Sequence, residues 1–318
     1  MIFNSISFGL FFLVFYPFFL LSKGRLKIFI CLLASYFFYG WWDWRFLVLV
    51  LITTVSDYTI GLKLGTVTEQ GKRKRLLLTS ILINLTLLGV FKYYNFFVGS
   101  FAGILNTIGL SITPFTLNII LPLGISFYTF QTLSYTIDLY YKRIEAETSL
   151  LNYAVFISFF PKLLAGPIVL AKDFLPQLRG LRNPDWNEVT LGVHKIAWGL
   201  VKKVAIADSL APFVNLVFAN PTHYNAATLI AAVFLYTIQI YCDFSGYSDM
   251  AIGIARVMGF KLPENFNLPY FSRNFSEFWG RWHITLSVWF RDYVYIPLGG
   301  NRHGQLKTYR NLMITMLL

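Results

Sequence analysis

Apolar runs long enough to cross a bilayer, separated by short hydrophilic loops, dominate this sequence. A transmembrane helix needs about 20 largely apolar residues. Only 13% of the chain is charged, whereas a soluble domain carries about 25%. These features predict an all-α, polytopic membrane protein in which residues 1–318 form one transmembrane domain. The first five predicted spans cover residues 6–21, 28–39, 46–62, 76–91 and 117–141.

Charged residues in the connecting loops predict how the spans are oriented. The loops after the first and third runs are basic, with Lys23, Arg25 and Lys27 in one and the cluster 72–75 in the other. The second loop has balanced charge, and the fourth, residues 95–116, has none. Because short loops rich in Lys and Arg stay in the cytoplasm, we predict an outer N-terminus. The same rule accounts for the net charge of +12 without a nucleic-acid partner.

Residues 150–170 are apolar, but they contain two proline breaks and have basic residues on both flanks. Pro161 and the pair Gly166-Pro167 interrupt the run, and proline removes a backbone donor from a helix. A segment that starts and ends on one side of the membrane is predicted to be re-entrant. Broken backbone at membrane depth is tolerated where protein or a water-filled cavity surrounds it. Residues 159–167 are therefore a candidate cavity wall, and the alternative is two surface helices joined by a proline hinge.

Ionisable residues stand inside several of the predicted spans. Two further spans are predicted over residues 193–218 and 229–258. The second contains four polar candidates for a substrate-binding funnel: Asp243, Ser245, Tyr247 and Asp249. A charge facing lipid is costly, so the two aspartates should face protein or water. A transporter or export scaffold that uses them for ion coupling is one interpretation. Asp57 and Asp138 are expected to have structural partners.

The stretch 274–293 places charged groups among large aromatic residues. Its candidates for substrate or funnel contacts are Glu277, Arg281, Trp282, Ser287, Arg291 and Asp292. The stretch forms either a buried catalytic or substrate site, or an amphipathic element at the membrane surface. His283 is the candidate catalytic residue, because a neutral imidazole in an apolar site suits general base work. If the stretch is helical, Glu277 shares a face with Arg281, and His283 shares one with Ser287.

Few other chemical signatures are present in the sequence. His194, His223 and His303 lie at an interface or in loops, and Cys31 and Cys242 lie in apolar runs. No Cys/His cluster has the spacing of a metal site. No nucleophile elbow or nucleotide-binding glycine pattern stands out. We therefore predict no metal ion and no bound cofactor.

Four blocks of sequence form longer motifs. They are LPLGISFYTFQ at 121–131, LAGP at 164–167, QIYCDFSGYSDMAIG at 239–253 and RWHITLSVWFRDYVYIPLGG at 281–300. Together they resemble the membrane-bound O-acyltransferase family, and within it the bacterial alginate O-acetylation branch. The resemblance implies a multi-helix bundle with re-entrant segments and a central funnel. It also implies acetyl-CoA as the acyl donor, on the cytoplasmic side of a bacterial inner membrane and among membrane lipid. The acetyl group would reach an exported polysaccharide through a periplasmic partner of the SGNH hydrolase type.

The resemblance assigns His283 to one of two polar active-site positions. The other, essential histidine of the family stands in a Trp-His segment after the Pro-Leu-Gly-Gly motif and a basic loop. This sequence has no such pair after Trp282-His283, and its last apolar run, 311–318, is shorter than a span. The second histidine is therefore expected beyond Leu318, as the general base, with His283 assisting by hydrogen bonding. We expect a C-terminally incomplete chain that is inactive by itself. The alternative within the family is D-alanyl transfer to teichoic acid.

Overall fold

The computed structural model describes residues 1–110, 113, 115–117 and 120–317, and the chain in these ranges is helical, without a β-strand. The helices are α1 Ile6–Leu21, α2 Gly24–Asp43, α3 Leu47–Thr66, α4 Gln70–Leu88, α5 Tyr94–Thr107, α6 Ile125–Tyr140, α7 Leu150–Ser158, α8 Phe160–Leu163, α9 Ala171–Arg179, α10 Trp186–Leu200, α11 Asp208–Ala219, α12 Ala226–Val257, α13 Phe275–Arg281, α14 Ile284–Phe290 and α15 Gln305–Leu317. Turns of 3-10 helix lie at Trp44–Phe46, Pro221–His223 and Pro269–Phe271, and π-helical turns lie at Gly89–Tyr93, Val201–Ala207 and Arg291–Tyr295. Three helical stretches of the described chain are long and apolar enough to cross a membrane: Gly24–Thr66, Gln70–Thr107 and Ala226–Val257.

The predicted spans coincide with α1 to α4 and with α12, although α2 and α4 begin earlier than predicted. The predicted span 193–218 is also helical, because the π-helical turn joins α10 to α11. Of the predicted span 117–141, Asn118 and Ile119 lie outside the described residues, and α6 begins at Ile125. An all-α fold is confirmed.

The last apolar run, residues 311–318, is helical over the part that the structure describes. Residues 311–317 belong to α15, whereas Leu318 lies outside the described residues.

The prediction of a loop over residues 95–116 is wrong for its first part, which forms α5. The stretch lacks charge, but Phe97, Phe101 and Ile104 are 62%, 64% and 62% exposed on this helix. Large apolar side chains on the surface of a membrane helix face lipid, so the helix needs no charged face. Three residues of the same predicted loop lie outside the described residues: Ser111, Ile112 and Pro114.

The aspartates of α3 and α6 have hydrogen-bonding partners, as expected. Asp57 on α3 is fully buried and accepts hydrogen bonds from Ser80 Oγ (2.5 Å) and Asn84 Nδ2 (2.7 Å) on α4. Asp138 on α6 accepts a hydrogen bond from Tyr293 OH at 2.7 Å. Because a buried polar group is costly unless it is hydrogen-bonded, these contacts hold α3 against α4, and α6 against the π-helical turn Arg291–Tyr295.

Loops that the charge pattern assigns to the same side meet in the structure. Lys27, after the first span, donates to Asn183, which precedes α10. Arg73, before the fourth predicted span, donates to the carbonyl oxygens of Leu139 and Tyr140 at the end of α6, at 2.8 and 2.9 Å. These contacts agree with the predicted alternation of the spans, and the orientation in the membrane stays a prediction.

The segment 150–170 is broken near its prolines, and the break lies in the protein core. α7 ends at Ser158, and α8 is a single turn that precedes irregular chain. Phe159 and Phe160 have no exposed surface, so the alternative of two surface helices is wrong. Leu164 borders a cavity of about 300 Å³ that aromatic residues of α2 also line. One residue of the predicted cavity wall therefore borders a pocket, and the wall as a whole stays a prediction.

A fully buried lysine anchors the broken segment. Lys162 Nζ donates to Gln131 Oε1 on α6 at 2.6 Å. It also lies 4.3 and 4.5 Å from the ring centroids of Phe156 and Phe174. Aromatic faces attract an ammonium group, most strongly away from water. The break is therefore tied to α6, α7 and α9.

Candidate active site

The chain bends at His283, and the bend divides the stretch 274–293 into two helices. α13 ends at Arg281, and α14 begins at Ile284. Trp282 between them is extended, and His283 has a φ of 42°. Positive φ is uncommon for a residue other than glycine. It persists where the surrounding structure over-determines it, which is frequent at functional sites.

The bend changes one of the two predicted side-chain pairings. Glu277 and Arg281 share a helical turn as predicted, and they form an ion pair at 2.6 Å. The prediction that His283 and Ser287 share a helical face is wrong, because His283 precedes α14 and no continuous helix contains both. Ser287 Oγ donates instead to the carbonyl oxygen of Trp282, at 3.5 Å.

A short backbone pairing holds the chain on both sides of the bend. Ile284 N donates to Asn265 O, and Asn267 N donates to Arg281 O, both at 2.9 Å. The side-chain oxygen of Asn265 also accepts hydrogen bonds from Thr285 N (3.3 Å) and Thr285 Oγ1 (2.9 Å). His283 therefore lies between two hydrogen-bonded residues, Arg281 before the bend and Ile284 after it.

Aromatic rings surround the imidazole of His283. Phe244 meets it edge-on at 4.8 Å between ring centroids, and Phe127 and Phe266 lie at 6.1 and 6.4 Å. Its Nε2 is buried and has no hydrogen-bond partner in the part of the chain that the structure describes. His283 lies outside the three membrane-length helices, and burial lowers its pKa to about 4. The imidazole is thus neutral at pH 7, and one ring nitrogen can accept a proton.

Trp282 connects this aromatic cage to α12. Its ring lies 5.1 Å from that of Phe266 and 6.3 Å from that of Tyr241, between centroids. Lys202 Nζ lies 5.7 Å from the ring centroid of Tyr241 and donates to Ser245 Oγ at 3.4 Å. The histidine site and the polar face of α12 are therefore adjacent.

Glycines let α10 and α12 approach with their backbones in contact. A Cβ added at Gly199 would lie 2.5 Å from Gly246 O, and one added at Gly192 would lie 2.8 Å from Gly253 O. Small residues at helix interfaces are a feature of membrane helices that pack closely. This packing brings the lysines of α10 and of the following π-helical turn within reach of α12.

Both aspartates of α12 pair with these lysines. Lys202 pairs with Asp249, and Lys195 contacts the same carboxylate at 3.3 Å. Lys203 pairs with Asp243 at 2.5 Å. The aspartates therefore face cationic groups of the protein, as expected for charges at membrane depth.

Three of the predicted site residues lie apart from His283. Tyr247 faces the N-terminal segment, where its ring stacks on Phe3 at 4.6 Å between centroids. Arg291 and Asp292 form an ion pair at 2.7 Å in the π-helical turn after α14, and the Arg291 side chain is 58% exposed. The structure thus joins Trp282 and His283 to the polar face of α12 and leaves these three outside.

Five residues with polar side chains in the site are absent from the sequence-based prediction: Lys195, Lys202, Lys203, Asn265 and Thr285. The aromatic rings of the cage, Phe127, Phe244 and Phe266, are absent from it as well. The lysines fall in the predicted span 193–218, where a cation needs a carboxylate partner. The presence of cations in one predicted span and aspartates in the next could have predicted that the two groups pair. Asn265 lies in irregular chain between α12 and α13, where no periodic pattern marks it.

The fold and the site together define a polytopic, α-helical membrane protein with a neutral, partly buried histidine beside a helix that carries paired charges. The sequence profile of the membrane-bound O-acyltransferase family, MBOAT, matches residues 28–318. The chain therefore belongs to this family.

Three relatives of this chain are acyltransferases by name. Probable alginate O-acetylase AlgI of Pseudomonas aeruginosa is 46% identical over 323 residues, which cover all of this chain and 61% of that protein. The peptidoglycan O-acetyltransferase of Helicobacter pylori is 39% identical over 312 residues, covering 90% of this chain and 58% of that protein. The teichoic acid D-alanyltransferase of Bacillus subtilis is 32% identical over 181 residues, covering 56% of this chain and 46% of that protein. The chain thus spans about three fifths of the length of the first two relatives.

Proposed function

We propose that the protein is a membrane O-acyltransferase that passes an acetyl group from cytoplasmic acetyl-CoA across the membrane toward an exported, alginate-like polysaccharide. The observation that carries the proposal is the neutral, partly buried imidazole of His283 in its aromatic cage, whose Nε2 is fully buried. Identity of 46% to an alginate O-acetylase over the whole chain supports the choice of acyl group and polymer. A periplasmic protein of the SGNH type is the proposed partner.

In this proposal the protein supplies orientation and a dry site. The second histidine that the resemblance implies, beyond Leu318, is the general base on the acceptor hydroxyl, and His283 assists by hydrogen bonding. The rings of Phe127, Phe244 and Phe266 exclude water from the imidazole, which strengthens its hydrogen bonds and limits hydrolysis of the acyl group. Fixed geometry of the reacting groups provides much of the rate.

The proposal extends to the cell envelope. The chain lies in a bacterial inner membrane with its N-terminus outside, in contact with membrane lipid. The basic cluster 72–75 and the loop after α6 then face the cytoplasm, where acetyl-CoA is available. The alternation of basic loops, after the first and third spans, with loops that carry no net positive charge, after the second and fourth spans, supports this orientation.

The first test replaces His283 in the full-length protein. The host is an alginate producer that lacks its own O-acetylation protein, and the O-acetyl content of exported polymer is measured by NMR spectroscopy. His283→Ala should lower the acetylation rate about 100-fold or more, because loss of one positioned hydrogen-bonding group in a dry site costs about 10²–10³-fold. His223→Ala is the matched control, since His223 is exposed in a turn, and it should leave acetylation unchanged. Unchanged acetyl content in His283→Ala would reject a role for this histidine.

D-alanyl transfer is the second candidate, supported by the 32% identity to a teichoic acid D-alanyltransferase. Mass spectrometry of esters released by mild base from the envelope separates the two, since one reaction yields acetate and the other D-alanine. Ion-coupled transport has weaker support, because Asp243 and Asp249 are both paired with lysines. Proton-dependent uptake in proteoliposomes without acyl transfer would favour a transporter.

A further inference from the structure

Thr285 connects three segments that meet behind His283. Its Oγ1 donates to the side-chain oxygen of Asn265 at 2.9 Å and accepts a hydrogen bond from Ile168 N at 3.0 Å. Ile168 belongs to the irregular chain that follows the proline break, and Asn265 belongs to the connection between α12 and α13. Thr285 and Asn265 are 8% and 1% exposed, so water does not compete for these bonds.

The same residues surround the strained part of the backbone. Ile284 N, the amide directly after His283, donates to Asn265 O at 2.9 Å. Thr285 N donates to Asn265 Oδ1 at 3.3 Å. One asparagine therefore accepts three hydrogen bonds from the two residues that follow the histidine. A left-handed histidine relaxes toward ordinary φ values unless such contacts oppose it.

The amide side chain of Asn265 carries a free-energy cost, because one of its polar atoms is buried without a hydrogen bond. Its Nδ2 is buried and has no hydrogen-bond partner in the described part of the chain. A buried donor without an acceptor is destabilising, and an apolar side chain of similar size would fill the same space without that penalty. Space filling therefore does not explain an asparagine here, whereas the need for the acceptor Oδ1 does.

We propose that Asn265 and Thr285 are positioning residues for His283, and that their hydrogen bonds hold the left-handed turn which presents the imidazole to the acyl group. The role in acyl transfer rests on the proposed function above, whereas the role in holding the imidazole does not. Neither side chain needs to touch the substrate. Thr285 also couples the turn to the broken re-entrant segment, through Ile168.

The test removes the Thr285 hydroxyl from the full-length protein and follows His283 directly. Thr285→Val deletes both side-chain hydrogen bonds, and Thr285→Ser keeps them. Thr53→Val is the matched control, because Thr53 is also buried but its hydroxyl bonds only to carbonyl groups of α3. Thr285→Ala replaces the valine variant if the added methyl group prevents folding.

The first readout is the rate at which diethyl pyrocarbonate modifies His283 in detergent, measured by mass spectrometry. The exposed residues His223 and His303 are internal references in every sample. Thr285→Val should raise the rate at His283 about tenfold, since local opening controls access to buried groups. Thr285→Ser and Thr53→Val should stay within about twofold of the unmodified protein. An equal rate at His283 in Thr285→Val and Thr53→Val would overturn the proposal.

The second readout is acyl transfer, with the kinetic constants measured separately. Thr285→Val should lower kcat about 10- to 100-fold while KM for the acyl donor changes little, because a displaced catalytic group can cost about 10²-fold. Thr285→Ser should restore most of the loss. A fall in kcat/KM that comes only from KM, or an equal loss in Thr53→Val, would contradict a positioning role. Absence of acyl transfer in the unmodified protein would reject the proposed function. In that case the rate at which diethyl pyrocarbonate modifies His283 still tests whether Asn265 and Thr285 hold the turn.

Discussion

At the scale of single residues, paired charges explain how this apolar chain accommodates acidic groups at depth. The side chains of Lys202 and Asp249 are 12% and 11% exposed, and Lys195 contacts the same carboxylate. The aspartates could be predicted as special because a charge in an apolar run stands out. The lysines of the preceding span could be expected as their partners, but which lysine meets which aspartate depends on how α10 packs against α12, as in the Lys202–Asp249 pair. The sequence does not predict the contact between Asn265 and Thr285, because the two residues lie in separate segments and neither is ionisable.

Breaking the Lys202–Asp249 pair should be costly, because one charge remains buried without its partner. Asp249→Leu should lower the free energy of unfolding by about 3–5 kcal/mol. The double variant Lys202→Met/Asp249→Leu should be destabilised by less than the sum of the two single variants. Arg291→Met breaks an ion pair whose arginine is 58% exposed, and it should cost at most about 1 kcal/mol. Chemical or thermal unfolding in detergent measures all four, and strictly additive single effects would contradict the pairing.

At the scale of secondary-structure elements, the ends of helices are where the sequence was least informative. The cluster 72–75 indicated a cytoplasmic loop, yet α4 begins before it and Arg73 points inward. Its guanidinium donates to Leu64 O (2.5 Å) and Val67 O (3.0 Å) at the end of α3, as well as to two carbonyls at the end of α6. Carbonyl groups at a helix C-terminus lack partners within the helix. Arg73 satisfies those of two helices at once, which composition and charge counting do not show.

Replacement of Arg73 by lysine tests this role at constant charge. Lysine lacks the planar fork that reaches several acceptors. Arg73→Lys should therefore lower the free energy of unfolding by about 1–3 kcal/mol, the usual cost of leaving buried acceptors unpaired. Arg75→Lys, in the same basic cluster but exposed, should have no measurable effect. Equal melting temperatures of the two variants would show that Arg73 contributes only charge.

At the scale of the whole molecule, the helical class and most spans could be predicted because apolar length and loop charge are properties of contiguous sequence. The prediction of a loop is wrong at α5, because a helix that faces lipid on its surface needs no charged residues. The bend at His283 was also missed, since Trp282-His283 carries no proline or glycine. Tertiary hydrogen bonds impose that bend, and they are encoded elsewhere in the chain.

Orientation is a property of the molecule in its membrane, and cysteine labelling can measure it. Cys31 and Cys242 are buried, so background reaction should be low. In spheroplasts, a membrane-impermeant maleimide should label Thr222→Cys within minutes, because the alternation of the predicted spans puts the loop between residues 218 and 229 outside. Lys74→Cys should react only after the membrane is permeabilised, because the basic cluster is predicted to be cytoplasmic. Labelling with the opposite sidedness would reverse the proposed topology.

The buried contacts of Lys162 have a consequence for how the protein is assembled. A lysine cannot partition into lipid unaccompanied without a large cost, and its amide and aromatic neighbours come from α6, α7 and α9. The segment around the proline break therefore cannot be released into the bilayer by the insertion machinery as a separate unit. We expect it to enter together with α6 and to be enclosed once α9 is made, so that assembly of this region is a cooperative step.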